Sequence, residues 1–130
     1  MVNLNIETYQ ILNNIAPTYY QYPQILVDST QNQTPVPQDY FPMISYYDSD
    51  HAPEGYADGI NLIDIPEMTV DVWERADINT GELTSIYQQV DTAMRQNGYL
   101  RTGFVNQYEE DTKIYHYTYK FKKIAEEAPL

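Results

Sequence analysis

Cysteine is absent from the 130 residues of this sequence. Its absence excludes disulfide bonds, thiolate metal sites and a cysteine nucleophile. Long apolar runs are also absent, since no stretch approaches the roughly 18 consecutive apolar residues of a membrane-spanning helix. The opening residues, MVNLNIETYQ, lack the basic region and apolar run of a signal peptide. We therefore expect synthesis in the cytoplasm and no association with a membrane.

Basic residues are scarce. The chain has 7 Lys and Arg against 19 Asp and Glu, which gives a formal net charge of −12, and the acidic residues are spread along its whole length. Binding to a nucleic-acid backbone depends on Lys and Arg replacing counterions, and anionic membranes attract basic segments. Neither partner is expected for this chain. The charge favours solubility before assembly.

The length of the chain fits a single domain, taken as residues 1–130, because it leaves no room for a second core. A short amphipathic helix is predicted over residues 5–15, where apolar side chains recur every three residues and Pro17 ends the pattern. Residues 18–39 are rich in Gln, Pro and Tyr and are interpreted as a loop or arm. Within them, a short strand is considered only at Ile25–Val27.

Two strands are predicted in the middle of the chain. Phe41–Tyr47 is rich in aromatic and branched residues, and Met68–Arg75 alternates apolar with mainly polar residues. The alternation predicts one core face and one polar face for the second strand. The stretch between the two strands, Asp48–Asp64, is polar and too long for a tight turn, so we expect an extended loop there.

The clearest helix is predicted at Leu83–Met94, where apolar residues follow a helical stripe. Asn79 or Thr80 is expected to accept hydrogen bonds from the first free amides. Asn97–Gly98 is expected to end the helix in a left-handed turn. The apolar stripe must then lie on a sheet. Its members are Leu83, Ile86, Tyr87, Val90 and Met94.

An antiparallel hairpin is predicted near the end of the chain, from strands at 99–108 and 112–122 around an acidic turn. Residues 125–130 are expected to be a frayed tail. The element order is α, β, β, α, β, β, which indicates an α+β fold with a mostly antiparallel sheet and helices packed on one face. In the first hairpin strand, one face is expected to carry Leu100, Phe104 and Tyr108.

Tyrosine is the unusual component, with 14 Tyr against three Phe and one Trp. Tyr buries a large ring while its hydroxyl stays in reach of water or a partner, so it is enriched at interfaces. The row at residues 115, 117 and 119 is therefore either a subunit interface or the core face under the predicted helix. Tyr117 and Phe121 are assigned to the core. Tyr115 and Tyr119 remain candidates for a subunit interface.

No combination of residues predicts catalysis or a bound cofactor. A calcium loop beginning at Asp48 or Asp77 lacks the oxygen ligand, glycine and glutamate required at its fifth, sixth and twelfth positions. Neither His51 nor His116 has a second His or Cys at metal-ligand spacing, and His116 is interpreted as a structural histidine. Nucleotide-binding and nucleophile-elbow motifs do not occur. We therefore expect no enzyme activity, no metal and no cofactor.

Four segments, taken in order, resemble the tail-terminator (tail-completion, head–tail joining) proteins of long-tailed bacteriophages and their prophages. They are FPMISYYD, TVDVWER, the helix ending in NGYLRTG, and YEEDTKIYHYTYKF, and together they span residues 41–122. Proteins of that family share an aromatic strand after a proline, a strand of alternating Val and acid followed by Trp, a helix, and a hairpin with a Tyr-His pair. The stretch at 18–39 adds nothing to the resemblance.

The resemblance implies a structural virion protein of α+β fold that assembles as a hexameric ring. The ring would end the tail tube and join the stopper protein at the head–tail junction, so its partners would be other copies of itself, the tail-tube protein and the stopper. DNA would only pass through the lumen, which suits an acidic subunit because a negative lumen does not hold phosphates. We take the acidic loop as the hypothesised partner-contacting or lumen-facing element, with Asp48, Asp50, Glu54, Asp58 and Asp64 as its candidate residues.

Other interpretations stay open from the sequence. The chain could instead be another head–tail connector component, the stopper. The sequence alone does not distinguish a stopper from a terminator. A different class is an acidic inhibitor, immunity protein or DNA mimic that binds a basic partner, which the net charge and small size favour. A mimic requires a dense array of acids on one face, whereas Asp71, Glu82 and Asp91 lie on separate predicted elements.

Overall fold

A computed structural model describes residues 4–32, 34–50, 67–77 and 79–123. Its helices are α1 (Leu4–Asn13), α2 (Gln24–Asn32) and α3 (Ile86–Gln96), with a 3-10 turn at Gln38–Tyr40. Its strands are β1 (Thr18–Tyr20), β2 (Met43–Asp50), β3 (Glu67–Arg75), β4 (Tyr99–Glu109) and β5 (Ile114–Lys123). No helix in these ranges is long and apolar enough to cross a membrane.

The five strands form one sheet in the order β1-β2-β3-β5-β4. The β1 strand runs parallel to β2, while the β2–β3, β3–β5 and β4–β5 pairs are antiparallel. The last strand in the chain, β5, thus lies between β3 and β4. The arrangement confirms the predicted α+β class and the mostly antiparallel sheet.

Helices α1 and α3 cover one face of the sheet. In α3, Ile86, Val90 and Met94 recur every four residues and are buried, so one stripe of the helix lies on the strands. They share a single apolar cluster with Leu12 of α1 and Val70 of β3. Burying each such side chain contributes roughly 1.5–3 kcal/mol before conformational entropy is subtracted. This helix-covered face therefore holds the main core.

The opposite face of the sheet is also covered at one end. Met43, Trp73 and Ile114 project there from three strands and form a second buried cluster with Val36. Ile25 and Leu26 of α2 pack against this cluster. The α2 helix therefore lies on the face of the sheet opposite to α1 and α3. The predicted polar face of β3 is buried rather than exposed, because all residues from Met68 to Glu74 are buried.

The segment interpreted as a loop or arm, residues 18–39, contains β1 and α2. Ile25–Val27, considered as a strand, lies inside α2. The backbone amides of Leu26 and Val27 donate to the Pro23 carbonyl in the first turn of this helix. Proline suits a helix start because it needs no amide partner there. The helix is held by the packing of Ile25 and Leu26 on the second cluster, a tertiary contact that local composition does not reveal.

The α3 helix begins at Ile86 rather than at the predicted Leu83. Its first turn is capped by a carboxylate from the sheet, since Glu74 Oε1 accepts from the Ile86 amide at 3.3 Å and from Thr84 Oγ1 at 2.5 Å. Asn79 and Thr80 instead donate their amides to Asp77 Oδ1 within a turn. The predicted stop is confirmed, because Gly98 adopts φ +88°.

Candidate interaction surface

Among the described residues, strand β4 is an outer strand of the sheet and pairs only with β5. Four large apolar side chains of this strand are exposed: Leu100 at 54%, Phe104 at 42%, Val105 at 52% and Tyr108 at 47%. Only Tyr99, at its start, is buried. We call this strand with its four exposed side chains the β4 edge. Its outer backbone groups and apolar side chains are available to another chain.

A bulge divides the β4 edge between the two faces of the sheet. Leu100 pairs with Lys122, whereas Phe104 pairs with Tyr119 and Tyr108 with Tyr115, and the register shifts between Arg101 and Gly103. Paired residues share a face, so Leu100 lies on the face opposite to Phe104 and Tyr108. The expectation that all three share one face is wrong because the extra residue of the bulge inverts the alternation.

An aromatic row supports the β4 edge from the helix-covered face. Ring centroids are 4.5 Å apart for Tyr108–Tyr115, 4.1 Å for Tyr87–Tyr117 and 4.7 Å for Phe104–Tyr119. Offset aromatic pairs at such distances are worth about 0.5–1.5 kcal/mol beyond their buried area. The exposed rings of Phe104 and Tyr108 are therefore held in place by rings of the core.

The two tyrosines that the sequence left open as interface candidates lie in different environments. Tyr119 is 2% exposed, and its hydroxyl donates to the Tyr87 carbonyl at 2.9 Å, so it belongs to the core of its own chain. Tyr115 is half-buried at the margin of the same core. Tyr117 and Phe121 are buried, as predicted. Both candidates contact rings of the β4 edge, Tyr115 through Tyr108 and Tyr119 through Phe104, but Tyr115 alone is partly exposed.

Burial raises the pKa of two phenol groups in this row. Desolvation raises the pKa of Tyr117 to about 12, with a smaller contribution from the negative charge of Glu74. Desolvation likewise raises the pKa of Tyr119 far above its ordinary value, and Asp91 adds to the effect. Both rings act as apolar supports with satisfied or shielded hydroxyls rather than as proton-transfer groups near neutral pH.

A polar cluster lies on the opposite face of the sheet, at the middle of β3 and β5. Asp71 Oδ1 is 2.7 Å from His116 Nε2 and accepts a 2.7 Å hydrogen bond from the Thr118 hydroxyl. The Trp73 ring stacks on the His116 ring with centroids 3.7 Å apart, and Trp73 Nε1 donates to Ser45 Oγ at 3.2 Å. The sequence alternation indicated the strand but not that these polar residues are buried partners.

The geometry of the polar cluster does not match a catalytic triad. A triad uses opposite ring nitrogens of the histidine for the acid and for the nucleophile. Here the same Nε2 faces both Asp71 Oδ1 and Thr118 Oγ1, the latter at 3.2 Å. The Thr118 hydroxyl also donates its proton to Asp71 rather than to His116. The cluster therefore joins two strands as a structural network, in agreement with the interpretation of His116 from the sequence.

A wide groove runs beside this cluster, between α2 and the far end of the β4–β5 hairpin. Its volume is about 1640 Å³, and Trp73, Ile114 and His116 line its floor. This volume exceeds the roughly 300–1,000 Å³ of ordinary small-molecule pockets. One wall is held by Arg75, whose Nη1 donates to the Val36 carbonyl at 2.6 Å and whose guanidinium lies 4.4 Å from the centre of the Phe41 ring.

Of the five acidic-loop candidates, the structure describes only Asp48 and Asp50. Asp48 lies within β2, and its Oδ2 accepts a hydrogen bond from Asn5 Nδ2 at 3.4 Å, while Asp50 is the last residue of that strand. Glu54, Asp58 and Asp64 lie outside the described residues. Within the described ranges, no group of three His, Cys, Asp or Glu is placed to hold a metal ion.

Comparison with known proteins does not identify a family. No protein-family model matches this sequence, and no curated protein matches it.

Proposed function

We propose that this protein is a structural subunit of a long-tailed bacteriophage virion, forming a ring that ends the tail tube and joins the tail to the head. The observation that carries the proposal is the β4 edge, an outer strand of 11 residues with four large apolar side chains exposed. An edge of this kind fits a protein whose working state is an assembly.

The physical reason lies in how single-chain proteins treat their edges. An outer strand presents unpaired N–H and C=O groups, and monomeric proteins shorten it, charge it or cover it to prevent association. Exposed apolar patches on monomers are also small unless they bind something. The β4 edge is long and carries only Arg101 and Glu109 as charged residues. Its features are those of a surface that another chain covers.

The phage assignment has a separate support. The segments of the resemblance fold as β2, β3, α3 and the β4–β5 hairpin, which is the expected layout of two strands, a helix and a closing hairpin. The resemblance then supplies the finer role, namely a hexameric terminator ring in the virion with the tail-tube and stopper proteins as partners. A stopper role is the nearest alternative with the same layout.

The test is the mass of the purified protein in solution, measured by light scattering over a concentration series. We expect a species of six times the 15.2 kDa subunit, about 91 kDa, either alone or after addition of tail-tube protein. Negative-stain images of that species should show rings that cap the ends of tail tubes. A protein that stays at 15.2 kDa at every concentration and leaves tube length unchanged would contradict the proposal.

A control separates assembly through β4 from loss of folding. Val105→Glu places a charge on the exposed part of β4 without removing a buried group, so the fold should be kept and the ring should not form. Gln89→Glu places the same charge on the exposed side of α3, away from β4, and should leave the ring intact. Assembly of both variants to the wild-type mass would show that β4 is not the contact.

A further inference from the structure

The charges of this chain are divided between the two sides of its sheet. No Lys or Arg occurs among the first 74 residues, and the elements α1, β1, α2 and β2 hold four acids, Glu7, Asp28, Asp48 and Asp50. Strands β4 and β5 hold four basic residues against one acid. The basic residues are Arg101, Lys120, Lys122 and Lys123, and the acid is Glu109. A chain with a net charge of −12 therefore has a hairpin with the opposite sign.

The four basic residues are divided between the two faces of the sheet. Arg101 and Lys123 lie on that face, 3.4 Å from Asp91 and 2.8 Å from Glu7 respectively. Lys120 and Lys122 lie on the opposite face, paired in register with Gly103 and Leu100 of β4. On this side exposed Leu100 and Val105 of the β4 edge lie beside these two lysines, and Glu67 of β3 pairs in register with Lys122.

The sheet has a second exposed edge, at β1. In the sheet order, β1 and β4 are the two outermost strands, so they lie on opposite sides of the molecule. Tyr19 and Tyr20 of β1 are exposed at 37% and 50%, and Tyr9 of the neighbouring helix at 41%. We call these three tyrosines with strand β1 the β1 edge. It is apolar and aromatic like the β4 edge, but the elements around it are acidic.

We infer that the β4 edge of one copy docks on the β1 edge of a second copy, so that the chain assembles head to tail. This inference rests on the proposed ring and names the two surfaces that build it. Opposite charges attract across such a contact, and exposed aromatic and aliphatic side chains on both sides are covered together. Two different patches on opposite sides of one chain form a heterologous contact, which closes into a ring when the rotation allows it.

The alternative of two β4 edges meeting each other is disfavoured by the same charges. A symmetric contact would place Lys120 and Lys122 of one copy against the basic hairpin of the other, and like charges oppose association. It would also stop at a dimer and leave the tyrosines of the β1 edge exposed. Head-to-tail docking covers both edges of every copy in a closed ring.

Two variants, each blocking one edge, test the inference. Val105→Glu places an acid on the β4 edge, where it would face the acidic β1 side, and Tyr19→Lys places a base on the β1 edge, where it would face the basic hairpin. Each variant alone should stay at 15.2 kDa. An equimolar mixture should form species of two subunits or more containing both variants, because the intact β4 edge of one still meets the intact β1 edge of the other.

Controls and outcomes separate this inference from the proposed function. Gln89→Glu and Gln89→Lys carry the same charges on α3 and should assemble like the wild type. When the NaCl concentration is raised from about 0.05 M to about 0.5 M, we expect the dissociation constant of the wild-type contact to rise roughly tenfold, since salt screens exposed charges. A folded Tyr19→Lys variant that still forms the ring would overturn head-to-tail docking and leave the ring proposal standing. A wild-type protein that forms no ring would overturn both.

Discussion

The two faces of β3 are both buried, but they are buried by different means. On the helix-covered face, Met68, Val70 and Val72 contact apolar side chains of α1, α3 and β5. On the opposite face, Asp71 is enclosed among hydrogen-bond partners and Trp73 among apolar and aromatic neighbours. Apolar burial needs only a neighbour of suitable size, whereas polar burial needs a specific partner for each group. The two faces should therefore respond to substitution in different ways.

The largest loss of stability is expected from removing a large buried side chain on the helix-covered face. Phe121 is fully buried in the main cluster, so Phe121→Ala should lower the free energy of unfolding by about 3–5 kcal/mol. Phe104→Ala is the matched control, since its ring is 42% exposed and its loss should cost less, about 1–2 kcal/mol. Urea denaturation followed by tyrosine fluorescence measures both. Equal losses for the two variants would contradict the assignment of the core.

The polar face is tested by removing its central acceptor. Asp71→Ala leaves the Thr118 hydroxyl and the His116 ring without their partner, so we expect a loss of about 2–3 kcal/mol. Asp77→Ala removes an acid from an exposed turn and should change stability by less than about 1 kcal/mol. Thermal melts of the two variants side by side give the comparison. An Asp71→Ala protein as stable as the wild type would mean that the cluster does not join the strands.

Alkaline pH should affect the helix-covered face through its tyrosines. Burial raises the pKa of Tyr99 from 10.0 to about 12, and Tyr117 is raised to the same value. Because the folded-state pKa lies above the unfolded one, the contribution of each group is complete below about pH 10 and is lost as pH rises towards 12. Each group contributes on the order of 2 kcal/mol at most. Unfolding curves between pH 8 and 12 should show this fall, and Tyr99→Phe should reduce it.

The smallest effect should have the opposite sign. Thr69 is buried on the polar face, and its hydroxyl has no hydrogen-bond partner among the described residues. Replacing an unsatisfied hydroxyl by a methyl group of similar size is neutral or stabilising, so Thr69→Val should raise stability by about 0–1 kcal/mol. Thr118→Val, which removes a donor to Asp71, should instead lower it by about 1 kcal/mol. Equal signs for the two threonines would contradict the difference in their bonding.

The comparison also explains which parts of the fold the sequence predicted. Regular alternation and helical spacing predicted β3, α3 and the hairpin because apolar side chains there repeat toward one core. The α2 helix was missed because it packs on a cluster whose members, such as Trp73 and Ile114, lie far away in the sequence. The position of Leu100 was missed because one bulged residue reverses a strand face without any signal in composition. Local patterns therefore predicted the apolar face and not the second one.

The candidate surface was predicted less well than the fold. The sequence drew attention to the tyrosine row, but Tyr119 is buried, and the more exposed rings of the hairpin belong to β4. Which tyrosines are exposed depends on how far α3 extends over the sheet, and that is a tertiary property. The sequence already shows that the basic residues are confined to its second half. Only the sheet order shows that this division separates two opposite edges, β1 and β4.

The position of β5 has a consequence for how the protein is made. This strand is the last element of the sheet to be synthesised, yet it lies between β3 and β4 and supplies His116 to a partner 45 residues earlier. Until it emerges from the ribosome, β3 has an open side and β4 has no neighbour to pair with. Long-range pairing of this kind slows folding and leaves strands exposed for longer. The sheet is therefore completed only after β5 has been synthesised, and a chain truncated before Ile114 should not fold.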